Sequence, residues 1–420
     1  MSTAGSTPAP TGRSPAWRST PTPSWRPRPW AGTSEPPPVT NPVHQPLLGV
    51  EVVEFCTIAA GPFCAMILSD LGAEVVKVEP PGGDPMRTWP PLTEGFSENF
   101  ASLNRNKRSI ELDLKDPGDR TTARALCARA DIVLENNRPG VMDRLGLGWA
   151  ELSANHPELV YASISAYGQT GPRSHQGGFD VVLQAFSGIM SVTGEPGRAP
   201  VKAGVPVSDF ATGLYAALSI TAALANVRAG APGCHVDASM LGSSLGIAAL
   251  QTSEYMGNGV DPRPLGSAHP RNAPYRAFAT ADQPVVVAAG NDKLWASVAE
   301  VIGRPDLLDD PRFGSVPERA ANQDALLVEM ETALAGRGVD HWVAAFTAAG
   351  VPCSPVNTYG QALADGQIDH LGLIEDLALP SGPVTRTVGA TVGFSGERQA
   401  LRRSPPGLDE HGAELRAELG

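Results

Sequence analysis

Cysteine is scarce in this chain, and what there is lies scattered. Five residues, Cys56, Cys64, Cys127, Cys234 and Cys353, are spread over 420 positions with no C-x-x-C pair. Such spacing offers neither a disulfide framework nor a zinc knuckle, and it fits a reducing, cytoplasmic compartment. Charge is thin as well: Asp, Glu, Lys and Arg make up only 18% of the residues, below the usual quarter. The formal net charge is -12 and the pI ≈ 5.2, so the chain lacks the basic surface that nucleic acids and anionic membranes require. No apolar run reaches the roughly 18 residues expected of a membrane span; the stretch 214–227 comes nearest. The histidines are isolated, with no H-x-x-x-H spacing, so no metal site is expected.

Hydrophobic residues make up 42% of the chain, and its length allows two or three domains with cores of their own. Residues 1–46 stand apart. Roughly a dozen of the 40 prolines fall there, with four arginines and a single acid. That composition cannot bury enough apolar surface to offset chain entropy, so a disordered tail is expected.

From Leu47 the pattern changes. A β-branched run at 49–55 (GVEVVEF), a helical spacing at 61–72 and a second strand at 73–79 (AEVVKVE) read as a βαβ unit. The alternation continues through 109–114, a helix opened by Pro117, strands at 131–135 and 159–165, and a helix at 149–155. A doubly wound α/β domain over 47–252 follows, with ligands expected at the C-terminal ends of its strands. Helices are expected at 181–190, 212–229 and 240–252. A Pro/Gly/Arg-rich connector at 257–274 opens a smaller α+β domain over 253–350, with a hairpin at 275–289 turning at Asp282-Gln283. The last segment, 351–420, is expected to return to the large domain.

Three features carry candidate chemistry. Asp180 follows two glycines and Phe179 at the start of an apolar helical run. It reads either as a helix cap or as a carboxylate nucleophile beside helix-end amides. Ser244 lies in GSSLG, a match to the G-x-S-x-G nucleophile elbow, although small residues packing one helix on another explain the same string. The run NRNKRS at 104–109 gathers positive charge in an acidic chain. It is either a solvated face or a phosphate clamp. Gly290, between a strand and a helix, could leave free amides facing a ligand.

Taken in order, LLGVEVVEF, AAGP, LGAEVVKVEPPGGD, NRNKRSIELDL, ADIVLENNRPGVMDRLGLG, SAYGQTGP, GGFDVVLQAFSGIMSVTG and AAGNDKLWASVAEVIGRPDLLDDPRF resemble the class III CoA-transferases. The resemblance runs from about Leu47 to the C-terminus. It implies an enzyme with a Rossmann-like large domain and a small domain, assembled as an interlocked homodimer. The substrates would be a coenzyme A thioester and a free carboxylic acid, with no permanently bound cofactor. It casts Asp180 as the nucleophile, forming a mixed anhydride and then an aspartyl-CoA thioester. Ile58 and Ala59 would face CoA, Arg105 and Arg108 would meet its phosphates, and Gly290 would cover the active aspartate.

Departures qualify this. Ala59 stands where formyl-CoA transferases carry glutamine, Pro80 where they carry a basic residue, and the AAGND loop is short, so a strictly oxalate-type substrate is not expected. GFDVVL departs from the GHDINY-like stretch of the related 2-methylacyl-CoA racemases, which remain the alternative of the same fold. A serine hydrolase using Ser244 and a non-catalytic CoA-binding protein are the further alternatives.

Overall fold

The computed structural model describes residues 45–420, so the expected disordered tail lies, but for its last two residues, outside the described span. Six strands pair side by side: β1 (Glu51–Phe55), β2 (Glu74–Glu79), β3 (Lys107–Glu111), β4 (Ile132–Glu135), β5 (Val160–Ser165) and β6 (Cys234–Ser239). All pairings are parallel, and the spatial order is 3-2-1-4-5-6. That order reverses between β1 and β4, which opens a crevice beyond the carboxyl ends of those two strands.

Alternation along the strands explains both layers. Val52, Val75, Ile132, Leu134, Val160 and Ala162 face one way and share a core with residues of α1 (Ala60–Asp70). Val53, Val78, Ile110, Val133 and Tyr161 face the other and pack on Ala123, Leu126 and Cys127 of α2 (Pro117–Arg129). Successive side chains of a strand point to opposite faces, so one β-branched run serves two cores. Pro117 opens α2 behind Asp116, whose carboxylate accepts the N–H groups of Gly118 and Asp119.

Downstream come α3 (Asp180–Phe186), α4 (Val207–Arg228), α5 (Met240–Ile247) and α6 (Ala249–Asn258). Helix α3 is shorter than its periodicity suggests, because Gly188 turns left-handed at φ 89° and a short 3-10 turn follows. Helix α4 begins at Val207, five residues before the expected start, and is long and apolar enough to cross a membrane by length and composition alone. It buries Ala216, Ala217, Ile220 and Leu224 in the first core, as a helix covering a sheet does.

A second core gathers around an antiparallel sheet of β7 (Tyr275–Phe278), β8 (Val285–Ala288) and β9 (Cys353–Pro355), in the order β9-β8-β7. Phe278, Val285 and Val287 pack there on Trp295 and Val298 of α7 (Asp292–Val301) and on Trp342 and Phe346. The chain end lies against the first sheet. Asn106 donates its N–H to the Arg403 carbonyl, His411 donates to that of Ser109, and α8 (Gly412–Leu419) contacts β3 and α2.

Candidate active site

The turn after β1 is fixed from two sides. Thr57 N–H donates to Asn136 Oδ1 at 3.0 Å, and Asn136 Nδ2 donates back to the Thr57 carbonyl at 2.8 Å. These bonds prolong the β1–β4 pairing past its last residues and span the crevice. Ile58 N–H meets both Asp84 oxygens, at 3.2 and 3.1 Å. Ile58 itself is left-handed, with φ 68°, a conformation a β-branched residue adopts only when its surroundings impose it. The imposing parts lie beneath. Lys77 Nζ reaches the Cys56 carbonyl at 2.7 Å, Asp84 at 3.0 Å and Glu54 at 3.4 Å, all three ionised groups being buried. These carboxylates hold the Lys77 ammonium well above its ordinary range, against the desolvation that opposes it. Ala59 then opens α1 with no side chain bonded to its first turn, leaving helix-end amides free.

A cleft of about 680 Å³ lies over this edge of the sheet, lined by Thr57, Pro80, Pro81, Lys115, Asn137 and Arg144 among others. Lys115 and Arg144 are the cations among its lining residues, and the acids Glu79 and Asp113 line it too.

Asp180 is the first residue of α3, and Phe179, not Asp180, holds the cap position. Both oxygens of Asp180 are engaged. Oδ1 accepts the Ser208 N–H at 2.9 Å and Oδ2 accepts Gln184 Nε2 at 2.6 Å, while Gln184 Oε1 accepts Ala203 N–H at 2.8 Å. The carboxylate therefore fastens the start of α3 to the start of α4 and to the loop before it.

The next residue of α4 is a second acid that sequence reasoning missed. Asp209 is partly buried, and among the described residues its carboxyl has no hydrogen-bond donor or cation beside it. Burial first, and the charge of Asp180 second, push it up to about 7. Its neighbours tie it to the β1 turn. Phe210 lies against Phe63 of α1, with ring centroids 4.7 Å apart. A Cβ on Gly213 would stand 2.8 Å from the Ala60 carbonyl, so only glycine lets α4 approach α1 so closely. Two helix N-termini, an unpartnered carboxyl and the Ile58–Ala59 turn thus converge. A helix start at Thr212 leaves Asp209 in a loop; the string VPVSDF, with Pro206 and Asp209 flanking the observed start at Val207, is the local signal for it.

Other expected residues lie elsewhere. Arg105 is buried and grips Asp70 with Nε and Nη2, at 3.1 and 2.6 Å, while also donating to the Gly389 carbonyl. Arg108 pairs with Glu418 at 2.6 Å and Glu414 at 3.2 Å on α8. Both sit at the amino-terminal end of β3, opposite the edge that carries the crevice, with their charges engaged by carboxylates of the same chain. Gly290 belongs to the second core, between β8 and α7, beside Asn272. Ser244 is fully buried inside α5, its Oγ 2.7 Å from the Met240 carbonyl and 2.9 Å from Ser208 Oγ. A nucleophile elbow needs an exposed hydroxyl on a strand-to-helix turn; this one is a structural bond between helices.

The comparisons agree with this architecture. Residues 47–412 match the family described as CoA-transferase family III. The chain is 39% identical over 378 residues to an acetyl-CoA:oxalate CoA-transferase of Acetobacter aceti, covering 89% of this chain and 96% of that one. It is 35% identical over 377 residues to a human succinyl-CoA:glutarate CoA-transferase, covering 89% and 86%. A crystal structure of a CAIB/BAIF family protein from Brucella suis superposes with a TM-score of 0.81 at 38% identity, covering 89% of this chain and 99% of that one. The chain belongs to CoA-transferase family III and is an enzyme of that class.

Proposed function

We propose that the protein moves CoA from an acyl-CoA thioester to a free carboxylic acid through a covalent aspartyl intermediate carried by Asp209, with Asp180 as the residue that positions it. The observation that carries this reading is the contrast between the two carboxyls. Both Asp180 oxygens already accept hydrogen bonds, whereas Asp209 has none and is only partly buried. Each hydrogen bond that a carboxylate oxygen accepts makes it a weaker nucleophile, and a desolvated carboxylate is a stronger one.

An Asp209 oxygen attacks the thioester carbonyl, the C–S bond breaks and the CoA thiolate leaves, giving an acyl-aspartyl anhydride. The thiolate then attacks the aspartyl carbonyl, which frees the donor acid and leaves an aspartyl-CoA thioester. The acceptor carboxylate attacks that thioester, and the returning thiolate takes the acceptor acyl group and restores Asp209. Each step forms an oxyanion beside the N-termini of α1 and α4, whose free amides favour negative charge. The cleft with Lys115 and Arg144 supports placement of the CoA nucleotide there, with its chain running over Ile58 and Ala59. Relatives named for oxalate and glutarate support dicarboxylic acids as the acid class, oxalate included.

We also propose a homodimer. Leu214, Leu218, Leu245, Leu250 and Met256, all exposed on α4 to α6, support a large covered face.

The deciding experiment traps the intermediate. Hydroxylamine or borohydride added during turnover should modify Asp209, located by peptide mass spectrometry, and Asp209→Asn should lose activity by several orders of magnitude. An adduct on Asp180, with Asp209→Asn active, would overturn the assignment.

A further inference from the structure

Four ionisable side chains, Glu54 on β1, Lys77 on β2, Lys107 on β3 and Asp84 after β2, are each at most 1% exposed and lie together beneath the first turn. Glu54 joins the two lysines, with Oε1 3.4 Å from Lys77 Nζ and Oε2 2.9 Å from Lys107 Nζ. The other three end on the backbone of residues 56–62. Lys77 Nζ donates to the Cys56 carbonyl at 2.7 Å, both Asp84 oxygens accept the Ile58 N–H, and Lys107 Nζ donates to the Pro62 carbonyl at 3.0 Å. Asp84 is itself fixed from three sides. Its own N–H donates to Glu79 Oε2 at 2.9 Å, its Oδ1 accepts the Met86 N–H at 3.0 Å, and its Oδ2 lies 3.0 Å from Lys77 Nζ. Buried ion pairs rarely hold a fold more firmly than apolar side chains of the same volume would, so stability alone does not account for a cluster aimed at one turn.

We infer that Asp84 is a positioning residue for the transfer reaction, an inference resting on the transferase reading above: it holds Ile58 left-handed and so aims the free amides of the α1 N-terminus at the reacting centre. Two observations favour it. Ile58 has φ 68°, and a β-branched residue stays there only where its surroundings impose it. Asp84 supplies the acceptor for its N–H. The Ile58 side chain, for its part, packs against the cluster of Met66, Met86, Phe100 and Leu103, as does Phe210, the residue after Asp209. A turn that relaxed at Ile58 would therefore re-aim the α1 N-terminus and lose the cluster it shares with the start of α4.

The test is a double-mutant cycle on kcat, because glycine takes the left-handed conformation at no steric cost. Asp84→Ala should lower kcat by roughly 100-fold, as the loss of a preorganised oxyanion donor does, while KM for the acyl-CoA stays within about threefold. In the Ile58→Gly background the same substitution should cost less than about tenfold. Asp84→Asn keeps an oxygen for the Ile58 N–H and should recover most of kcat. Where Asp84→Ala leaves Lys77 too poorly paired for the chain to fold, Lys77→Met/Asp84→Ala removes the stranded ammonium and carries the same comparison. A loss equal in both backgrounds overturns the inference, since a purely structural role would cost the same whatever stands at 58. So does a raised KM with kcat unchanged, or full activity of folded Asp84→Ala. Hydrogen exchange across residues 57–63 needs no turnover and should quicken in Asp84→Ala; unchanged protection also overturns the inference. The cycle does not depend on which carboxylate is the nucleophile, so an adduct trapped away from Asp209 would sink that assignment and leave this one standing.

Discussion

Ser208 presents its backbone N–H to Asp180 Oδ1 at 2.9 Å, and the residue that follows it is the acid whose carboxyl stands at about 7. One carboxylate thus sets the position of the other's helix and also raises its proton affinity. In the proposed mechanism only ionised Asp209 attacks, so kcat/KM in the wild type should climb with pH through about 7. Asp180→Asn removes the second cause of that raised value while keeping an oxygen for Ser208. The acid limb should move to lower pH, and the plateau should fall by roughly tenfold through the weakened bond. A pH–rate profile checks both. An acid limb that stays put would mean that Asp180's charge is not felt at the reacting group.

Arg105 tests whether the basic run serves structure or substrate. Its side chain is 4% exposed and that of its partner Asp70 13%. Removing one member of a buried ion pair leaves an uncompensated charge, at a cost of about 3–5 kcal/mol. Arg105→Ala should lower Tm markedly, and the KM for acyl-CoA should stay within about twofold. A raised KM at unchanged Tm would return Arg105 to the phosphates.

The first sheet was legible because β-branched runs separated by helical periods have few other ways to fold, but its strand order was not, since right-handed crossovers fix the face of each helix and not which strands become neighbours. The site was legible only in part. Asp180 stood out because glycines precede it, yet a local string does not say whether a carboxylate already has donors. Ser208, 28 residues away, supplies one of them. The ion pairs of Arg105 and Arg108 were not legible locally, because their partners lie 35 residues back and some 310 residues ahead.

Ser244 offers a clean contrast between the hydrolase reading and the packing seen here. Its hydroxyl is buried between the Met240 carbonyl and Ser208. Ser244→Ala should cost about 1 kcal/mol in chemical denaturation and keep turnover within a few-fold. Abolished activity in a folded variant would revive the serine.

Glu135 is the last residue of β4, 4% exposed, with Oε2 accepting the Asn137 N–H at 2.7 Å. Burial pushes its carboxyl up to about 7, the hydrogen bonds from Ser163 and Asn137 only partly opposing it. The folded chain therefore holds a proton that the unfolded chain releases near its ordinary value of about 4.3. Where the folded state binds more protons, stability falls as pH rises. The contribution is complete below the unfolded value, is lost between there and about 7, and stays lost above. Asp209 acts with the same sign over a similar window. Glu135→Gln keeps an oxygen for Asn137 and cannot ionise. It should match the wild type near pH 4 and be more stable at pH 8, by at most roughly 4 kcal/mol. Part of its residual slope would belong to Asp209, so Glu135→Gln/Asp209→Asn should lose less stability between pH 4 and 8 than Glu135→Gln does. Urea midpoints measured from pH 4 to 8 decide the matter. Parallel curves for wild type and Glu135→Gln would mean that Glu135 ionises in the fold as readily as in water.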